Sequence, residues 1–582
     1  MAFMVRRRST AIASALGLAI TLTAVFVACG DPDPNSLGAS FQASPPPESA
    51  PPPPSLASCG DPSAVRPTDL RRLNRSELAN TLRAALGTAV YGPLDDTLAQ
   101  VGTDAIKKAP SDLQPSFDPS QLEAIDRVSK RVGALVTSSD DNLKAVAGAC
   151  STSAPIAASC VSDFVARFGR KMFRRPLSAE EVSAFADAFK AAPSGRDGVA
   201  DIASAMVLAP DFLYHVELGA GQPGSATQFT LTAHEIAARV SYLLTDGPPD
   251  NALGAAADNG SLKDPAVLGA QVDRLLQGDL GRAKVKSFIH YWLTLDKFQG
   301  LPSSPSFLGA IDTTGLTGEM LRELDAYVDW VVYEKHGSYA DLLTSRRSFA
   351  KTPALAKIYG HDLPTAPGAE VSTDQAHMGL LLRAPVVADS TTATHPIVRG
   401  AFMLRRIVCN DIASPSTTDL AAREAANFVP DPLKYSTGEM AAQRTSIASC
   451  MGCHSQINPF GLSLEGFDTL GRARTTETMF DMTGAKIAEH PVATAGALKI
   501  GGTETADVKS GSEMVQALAK STGAPMCFTK QVYRYYRMQR EDKDDSCQLE
   551  GMFNAMQAPG GSVLSNIKSS IVNVALDQRR LK

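Results

Sequence analysis

A five-residue motif, Cys450-Met451-Gly452-Cys453-His454, constrains this chain of 582 residues more than any other feature. Two thiols one helical turn apart can reach the two vinyl groups on one edge of a porphyrin. The adjacent histidine can then ligate the iron through its imidazole. The motif therefore predicts one covalently attached haem c, held by Cys450 and Cys453, with His454 as the proximal iron ligand.

Three other interpretations of the two cysteines compete with haem attachment. A dithiol–disulfide redox pair uses the same C-x-x-C spacing, but the surrounding sequence lacks a βαβ pattern. A zinc site needs further ligands, and the sequence has no second pair at metal-finger spacing. A structural disulfide between Cys450 and Cys453 would close a very small loop and stabilise the fold little. Haem attachment is the favoured interpretation.

The sequence leaves the sixth iron ligand open. A thioether from Met479 or Met482 would favour an electron carrier of higher potential. His395 or His490 would give a bis-histidine iron. An open sixth position would permit peroxide or oxygen chemistry.

The N-terminus has the pattern of an export signal. Three arginines, Arg6 to Arg8, precede an apolar run over 11–28, and the run ends at Cys29. The pattern resembles a bacterial lipoprotein signal, which predicts a signal peptide over 1–28 and lipid attachment at Cys29. The alternatives are a plain secretory signal or a single anchoring helix, although the run is short for a bilayer span. Each of these interpretations places the body of the protein outside the cytoplasm.

A proline-rich segment follows over 29–66 and is predicted to be a semi-rigid linker, because it lacks the apolar residues needed for a core. The formal charge of the chain is −5, from 56 basic and 61 acidic residues. Loss of the three signal-peptide arginines would take this charge to −8. A mildly acidic chain argues against nucleic acid as a partner, because phosphate binding needs clustered positive charge.

The nine cysteines include six that neither the lipid nor the haem would use. An even remainder in an exported protein predicts up to three disulfides. Six cysteines allow fifteen possible sets of pairs, and the sequence leaves the choice open. Short separation along the chain favours two pairs, and the third pair is what remains. The predicted pairs are Cys150–Cys160, Cys527–Cys547 and Cys59–Cys409.

The rest of the chain has mainly helical patterns. Capping boxes begin at Asn74, Ser178 and Thr232, and each is followed by apolar residues at helical spacing. Helical patterns also cover Val285–Leu295, whereas alternating strand patterns are scarce. The sequence therefore predicts a mainly α, multidomain protein with an embedded cytochrome-c-like haem module, preceded by a Pro-rich tether.

Several motifs, in this order, resemble those of the planctomycete surface-domain and planctomycete cytochrome c family, which is also frequent in myxobacteria. The resemblance runs from about Arg66 to the C-terminus. Its motifs are residues 71–77 (RRLNRSE), 173–177 (FRRPL), 209–214 (APDFLY), 396–400 (PIVRG) and 458–468 (NPFGLSLEGFD), followed by Gly471-Arg472.

The resemblance implies helical surface domains built around one cytochrome-c-like module, and it implies no particular reaction. The predicted surface domains span 67–149, 150–224, 225–360 and 500–580, and the cytochrome-c-like domain spans 374–476. In that domain the resemblance places Phe460, Leu464 and Phe467 near the porphyrin. The chain has Thr394-His395-Pro396 where family members often have Thr-Ser-Pro, so His395 is not a ligand that the resemblance implies.

Together these features predict an extracytoplasmic lipoprotein, anchored in a membrane, with one haem c that transfers electrons to or from an unidentified redox partner protein. One alternative is a non-catalytic surface scaffold that binds carbohydrate, such as a surface glycan, and in which the haem is structural. Another is a haem oxidoreductase of peroxidase-like type, for which the sequence nominates no general acid or base. Whether the protein is an enzyme is therefore left open.

Overall fold

A computed structural model describes residues 66–68, 70–102, 116–219, 229–298, 300–366, 368–412, 428–481, 483–542, 545–576 and 579–581. The predicted signal peptide and most of the linker lie outside these ranges, as do Cys29, Cys59 and Met482. The described chain divides into two compact units. The N-terminal unit contains residues 71–102 and 116–215, and the C-terminal unit contains the other described residues.

The N-terminal unit is helical apart from one short antiparallel pair of strands. Two of the three predicted capping boxes lie in this unit, at Asn74 and Ser178, and both are confirmed. Its helices are α1 (Arg75–Leu86), α2 (Thr88–Tyr91), α3 (Asp95–Ala99), α4 (Pro119–Val136), α5 (Asp140–Ala147), α6 (Ala158–Phe173), α7 (Ala179–Lys190), α8 (Gly195–Val207) and α9 (Pro210–Leu213), and the strand pair joins Arg71–Arg72 to Tyr214–His215.

The C-terminal unit is also mainly helical, and the third capping box is confirmed at Thr232. Its helices are α10 (Ala233–Thr245), α11 (Asn251–Asp258), α12 (Pro265–Gln277), α13 (Asp279–Leu293), α14 (Pro305–Leu308), α15 (Leu316–Asp329), α16 (Tyr339–Thr344), α17 (Pro353–Ile358), α18 (Ala384–Val387), α19 (Pro396–Phe402), α20 (Thr437–Arg444), α21 (Ala448–Ser463), α22 (Gly511–Lys520), α23 (Gly523–Arg537), α24 (Ser546–Gln557) and α25 (Val563–Leu576). Single π-helical turns extend α15 over Trp330–Glu334 and α19 over Met403–Ile407. The helix predicted over Val285–Leu295 begins earlier and ends at Leu293, because Thr294 adopts a left-handed backbone conformation.

The strands of the C-terminal unit form two-stranded sheets only. Two antiparallel hairpins follow α21, and they pair Thr476–Phe480 with Lys486–Pro491 and Gly496–Gly501 with Glu504–Val508. The other pairs are Arg347–Ser348 with Val371–Ser372 and, in parallel, Arg66–Thr68 with Arg579–Leu581. The expected mainly α fold is confirmed. Every helix in the described ranges is too short or too polar to span a lipid bilayer.

Two disulfides are present in the described chain. Cys150–Cys160 forms as predicted. The predicted pairs Cys527–Cys547 and Cys59–Cys409 are wrong, because Cys409 and Cys527 bond to each other. The cause is tertiary packing. The turn after α19 lies against α23, which brings together two cysteines 118 positions apart.

Candidate haem site

The C-x-x-C-H motif occupies the first two turns of α21. Cys453 is exposed, Cys450 and His454 are half-buried, and Met451 retains 40% of its surface. The two thiols are not bonded to each other. Ile457 and Phe460, further along the helix, are buried. The helix is therefore fixed in the core by its C-terminal half and presents the motif at the surface.

The residues behind the motif belong to the main hydrophobic core of the C-terminal unit. Phe460, Leu464 and Phe467 are each at most 4% exposed. Phe467 also packs edge-on against His377, with 5.2 Å between the ring centroids. These three apolar residues support α21 from the side of the core.

A buried charge network holds the end of α21 in place. Glu465 accepts hydrogen bonds from Arg399 (3.2 Å), Arg474 (3.0 Å) and the Thr394 hydroxyl (2.6 Å). Burial raises the pKa of the Glu465 carboxyl, while the two arginines and Thr394 act against the rise. Arg474 also pairs with Glu477 at 3.2 Å. Two residues of the sequence motifs, Arg399 and Glu465, thus join α19 to the turn after α21.

The His454 imidazole is held from its Nδ1 side. Nδ1 lies 3.0 Å from Oδ1 of Asn458, one helical turn further along α21. The Asn458 amide donates in turn to the Thr445 hydroxyl, at 2.8 Å. Nε2 is then the ring nitrogen available for a metal. Sequence reasoning missed Asn458, although an asparagine four residues after a candidate ligand stands on the same helical face.

The candidate sixth ligands have different surroundings. Met479 is half-buried in the first hairpin strand, paired with Ala488. His395 lies beside Asp389, with 2.9 Å between Nδ1 and the carboxylate. Although partial burial raises the pKa of Asp389, the hydrogen bond from His395 brings it below the usual value.

The fourth candidate, His490, donates from Nε2 to the Pro432 carbonyl at 2.9 Å. Among the residues that the structure describes, no three or more His, Cys, Asp or Glu side chains group together as metal ligands. The two thiols and His454 lie on one helix. Neither His395 nor His490 forms a cluster of metal ligands with them in the described part of the chain.

Large exposed apolar side chains also occur in the segment that contains the motif. Val398, Val429 and Leu433 are each more than 60% exposed, in addition to Met451. Exposed apolar side chains are compatible with the large apolar face of a porphyrin. The exposed Cys453 thiol, the half-buried Cys450 thiol and the available Nε2 of His454 fit a covalently attached haem.

Three family models match successive parts of the chain. Residues 160–217 match PSD5, a protein of unknown function (DUF1595), and residues 231–361 match PSD4, a protein of unknown function (DUF1592). Residues 377–477, which include the C-x-x-C-H motif, match PSCyt3, a protein of unknown function (DUF1588). Neither a curated protein nor a solved structure matches the chain. The order of these matches agrees with the order of the sequence motifs, and the chain belongs to the planctomycete surface-domain and planctomycete cytochrome c families.

Proposed function

We propose that this protein is an extracytoplasmic, lipid-anchored monohaem c-type cytochrome that transfers electrons to or from a partner protein. The observation that carries the proposal is the C-x-x-C-H motif on the exposed half of α21, with His454 held through Nδ1. The match of the surrounding residues 377–477 to PSCyt3 supports it.

Each residue of the site has a separate role in this proposal. Cys450 and Cys453 hold the haem covalently, and His454 binds its iron through Nε2. The haem, when bound, supplies reversible one-electron exchange. A helix whose other half is buried would hold the His454 side chain in one position, because the core resists rearrangement.

The N-terminal sequence supports the proposed location. Haem c is attached outside the bacterial cytoplasm, which is where the predicted signal over 1–28 would send the chain. Acylation of Cys29 would place several acyl chains in a membrane, and two such chains suffice for stable anchoring. The linker over 29–66 would separate the folded units from the membrane surface.

A pyridine haemochrome spectrum tests the proposal directly. Protein produced with a haem c maturation system is expected to give the spectrum of a covalent haem after denaturation and acid–acetone extraction. Cys450→Ala with Cys453→Ala should abolish it. Gly452→Ala is the matched control, because it keeps the C-x-x-C-H spacing and a β-carbon there meets no atom within 4 Å. Absence of covalent haem from the wild-type protein would overturn the proposal.

Electron transfer is tested separately by a redox titration of the matured protein. We expect a reversible one-electron couple and rapid oxidation by an external acceptor. A high-spin spectrum together with peroxide turnover would instead favour the peroxidase-like alternative. A haem that exchanges no electrons with any acceptor would favour the scaffold.

A further inference from the structure

A chain of three side chains connects the motif histidine to the backbone of the preceding helix. Thr445, at the C-terminal end of α20, is only 3% exposed. Its hydroxyl lies 2.9 Å from the carbonyl oxygen of Ala441 and 2.8 Å from the Asn458 amide nitrogen. The Asn458 oxygen is 3.0 Å from Nδ1 of His454.

The chemistry of the groups fixes the direction of every hydrogen bond in this chain. Backbone carbonyls can only accept, so the single hydroxyl proton of Thr445 points towards the carbonyl oxygens of Ala441 and, at 3.2 Å, Ala442. The hydroxyl must therefore accept the bond from Asn458, which places the asparagine NH₂ group towards Thr445. The asparagine oxygen then faces His454 and can only accept, so Nδ1 of His454 carries the proton.

We infer that Asn458 is a positioning residue that holds His454 in the Nδ1–H tautomer and leaves the Nε2 lone pair for the haem iron. The inference rests on the proposed function as far as the iron is concerned. The tautomer itself depends only on protein groups. Outer hydrogen bonds of this kind orient metal-bound histidines and raise their basicity.

The same arrangement makes Asn458 a determinant of the redox potential. A hydrogen bond accepted from Nδ1–H increases the electron density of the imidazole, which favours the more positively charged ferric state. Removal of the acceptor should therefore raise the potential, and a stronger acceptor should lower it. Thr445 should act in the same sense but more weakly, because it reaches His454 only through Asn458.

The first test uses the full-length protein without haem. Long-range proton–nitrogen spectra of ¹⁵N-histidine-labelled protein report which ring nitrogen is protonated, and loss of the signal in His454→Gln assigns His454. We expect the Nδ1–H form in the wild type and a shift towards the Nε2–H form in Asn458→Ala. Gln456→Ala is the matched control, because Gln456 lies on the same helix and bonds to Asn410 at 2.6 Å rather than to His454.

The second test measures the midpoint potential of the haem-loaded variants. Asn458→Ala should change the ferric–ferrous preference roughly tenfold in favour of the ferrous state, which is a rise of about 59 mV for one electron. Asn458→Asp should lower the potential, because a carboxylate is the stronger acceptor. Thr445→Val, similar in shape to threonine, provides a second variant if Asn458→Ala fails to fold.

The outcomes separate this inference from the proposed function. Wild-type protein that attaches no haem would overturn the proposed cytochrome function. The inference about Asn458 would still be tested by the tautomer of His454 in the protein without haem. An Nε2–H tautomer in the wild type would overturn the inference. So would equal potentials for Asn458→Ala, Thr445→Val and Gln456→Ala in protein with normal haem content.

Discussion

A β-carbon added to Gly400 would lie 2.2 Å from the backbone carbonyl oxygen of Ile457, so α19 and α21 touch backbone to backbone at this point. Gly461 makes the reciprocal contact, because its added β-carbon would lie 2.0 Å from the carbonyl oxygen of Pro396. These two glycines belong to the PIVRG and NPFG sequence motifs. Their role in the structure is to let the helix that carries the C-x-x-C-H motif approach its neighbour closely.

Gly400→Ala and Gly461→Ala should each destabilise the C-terminal unit by about 1–3 kcal/mol, because neither backbone can move away without disturbing the core behind it. Urea unfolding followed by tryptophan fluorescence measures the loss, since both tryptophans, Trp292 and Trp330, lie in this unit. Gly452→Ala on the same helix meets no atom within 4 Å. Equal unfolding midpoints for all three variants would contradict the close-contact explanation.

The buried pair of Arg383 and Glu323 is expected to be essential for the stability of the same unit. Both side chains are at most 1% exposed, and they hydrogen-bond to each other. The Tyr359 hydroxyl also donates to Glu323 at 2.9 Å, and burial raises the pKa of this tyrosine well above its usual value. Arg383→Met should cost about 3–5 kcal/mol, because it leaves the glutamate buried without its charged partner.

The control for that variant is the exposed ion pair of Arg274 and Asp250, whose side chains retain 41% and 46% of their surface. Arg274→Ala should cost less than about 1 kcal/mol, since solvent screens an exposed pair. Both variants are compared by urea unfolding at neutral pH. A similar small loss for Arg383→Met would show that the buried pair contributes no more than a surface pair.

Local sequence signals predicted the local parts of this structure. The capping boxes at Asn74, Ser178 and Thr232 lie where helices begin, because each motif satisfies its own backbone donors within four residues. The Cys150–Cys160 disulfide was predictable for the same reason, since its two cysteines are only 10 positions apart.

Features that depend on tertiary contacts were beyond sequence reasoning. The sequence around Arg399 does not indicate a contact with Glu465, which is 66 positions away. The two side chains meet only because α19 packs on α21. The Cys409–Cys527 disulfide is not predictable from the sequence, because separation along the chain gives no information about the contact between the end of α19 and α23. The Asn458 contact to His454 was local, but its function depends on Thr445, which belongs to another helix.

The buried His215 should make the stability of the N-terminal unit depend on pH. Burial and the charge of Arg71 lower its pKa to about 4, although Glu77 acts in the opposite direction. An unfolded histidine has a pKa of about 6.5, so below that pH the unfolded state binds the extra proton and stability falls. The contribution of the neutral, buried His215 to the free energy of unfolding is therefore fully present above pH 6.5, and it is lost as the pH falls from 6.5 towards 4.

The measurement compares wild type with His215→Gln by urea unfolding at pH 7 and pH 5. The wild type should lose about 2 kcal/mol more than the variant between these values, from roughly 1.4 kcal/mol per pH unit below 6.5. His215 is the only histidine of the sequence between residues 71 and 215, which simplifies the comparison. Parallel losses in the two proteins would contradict the low pKa of His215.

The Cys409–Cys527 disulfide should contribute strongly to the stability of the C-terminal unit, because it closes a loop of 118 positions and so restricts the unfolded chain. Cys409→Ala with Cys527→Ala should cost roughly 2–5 kcal/mol. Tryptophan fluorescence reports the change, since the Trp292 indole donates to the Arg406 carbonyl that Cys527 also contacts. Cys150→Ala with Cys160→Ala removes a disulfide from the other unit and should leave this fluorescence transition in place. An equal shift of the fluorescence transition in both double variants would contradict the prediction that the Cys409–Cys527 disulfide specifically stabilises the C-terminal unit.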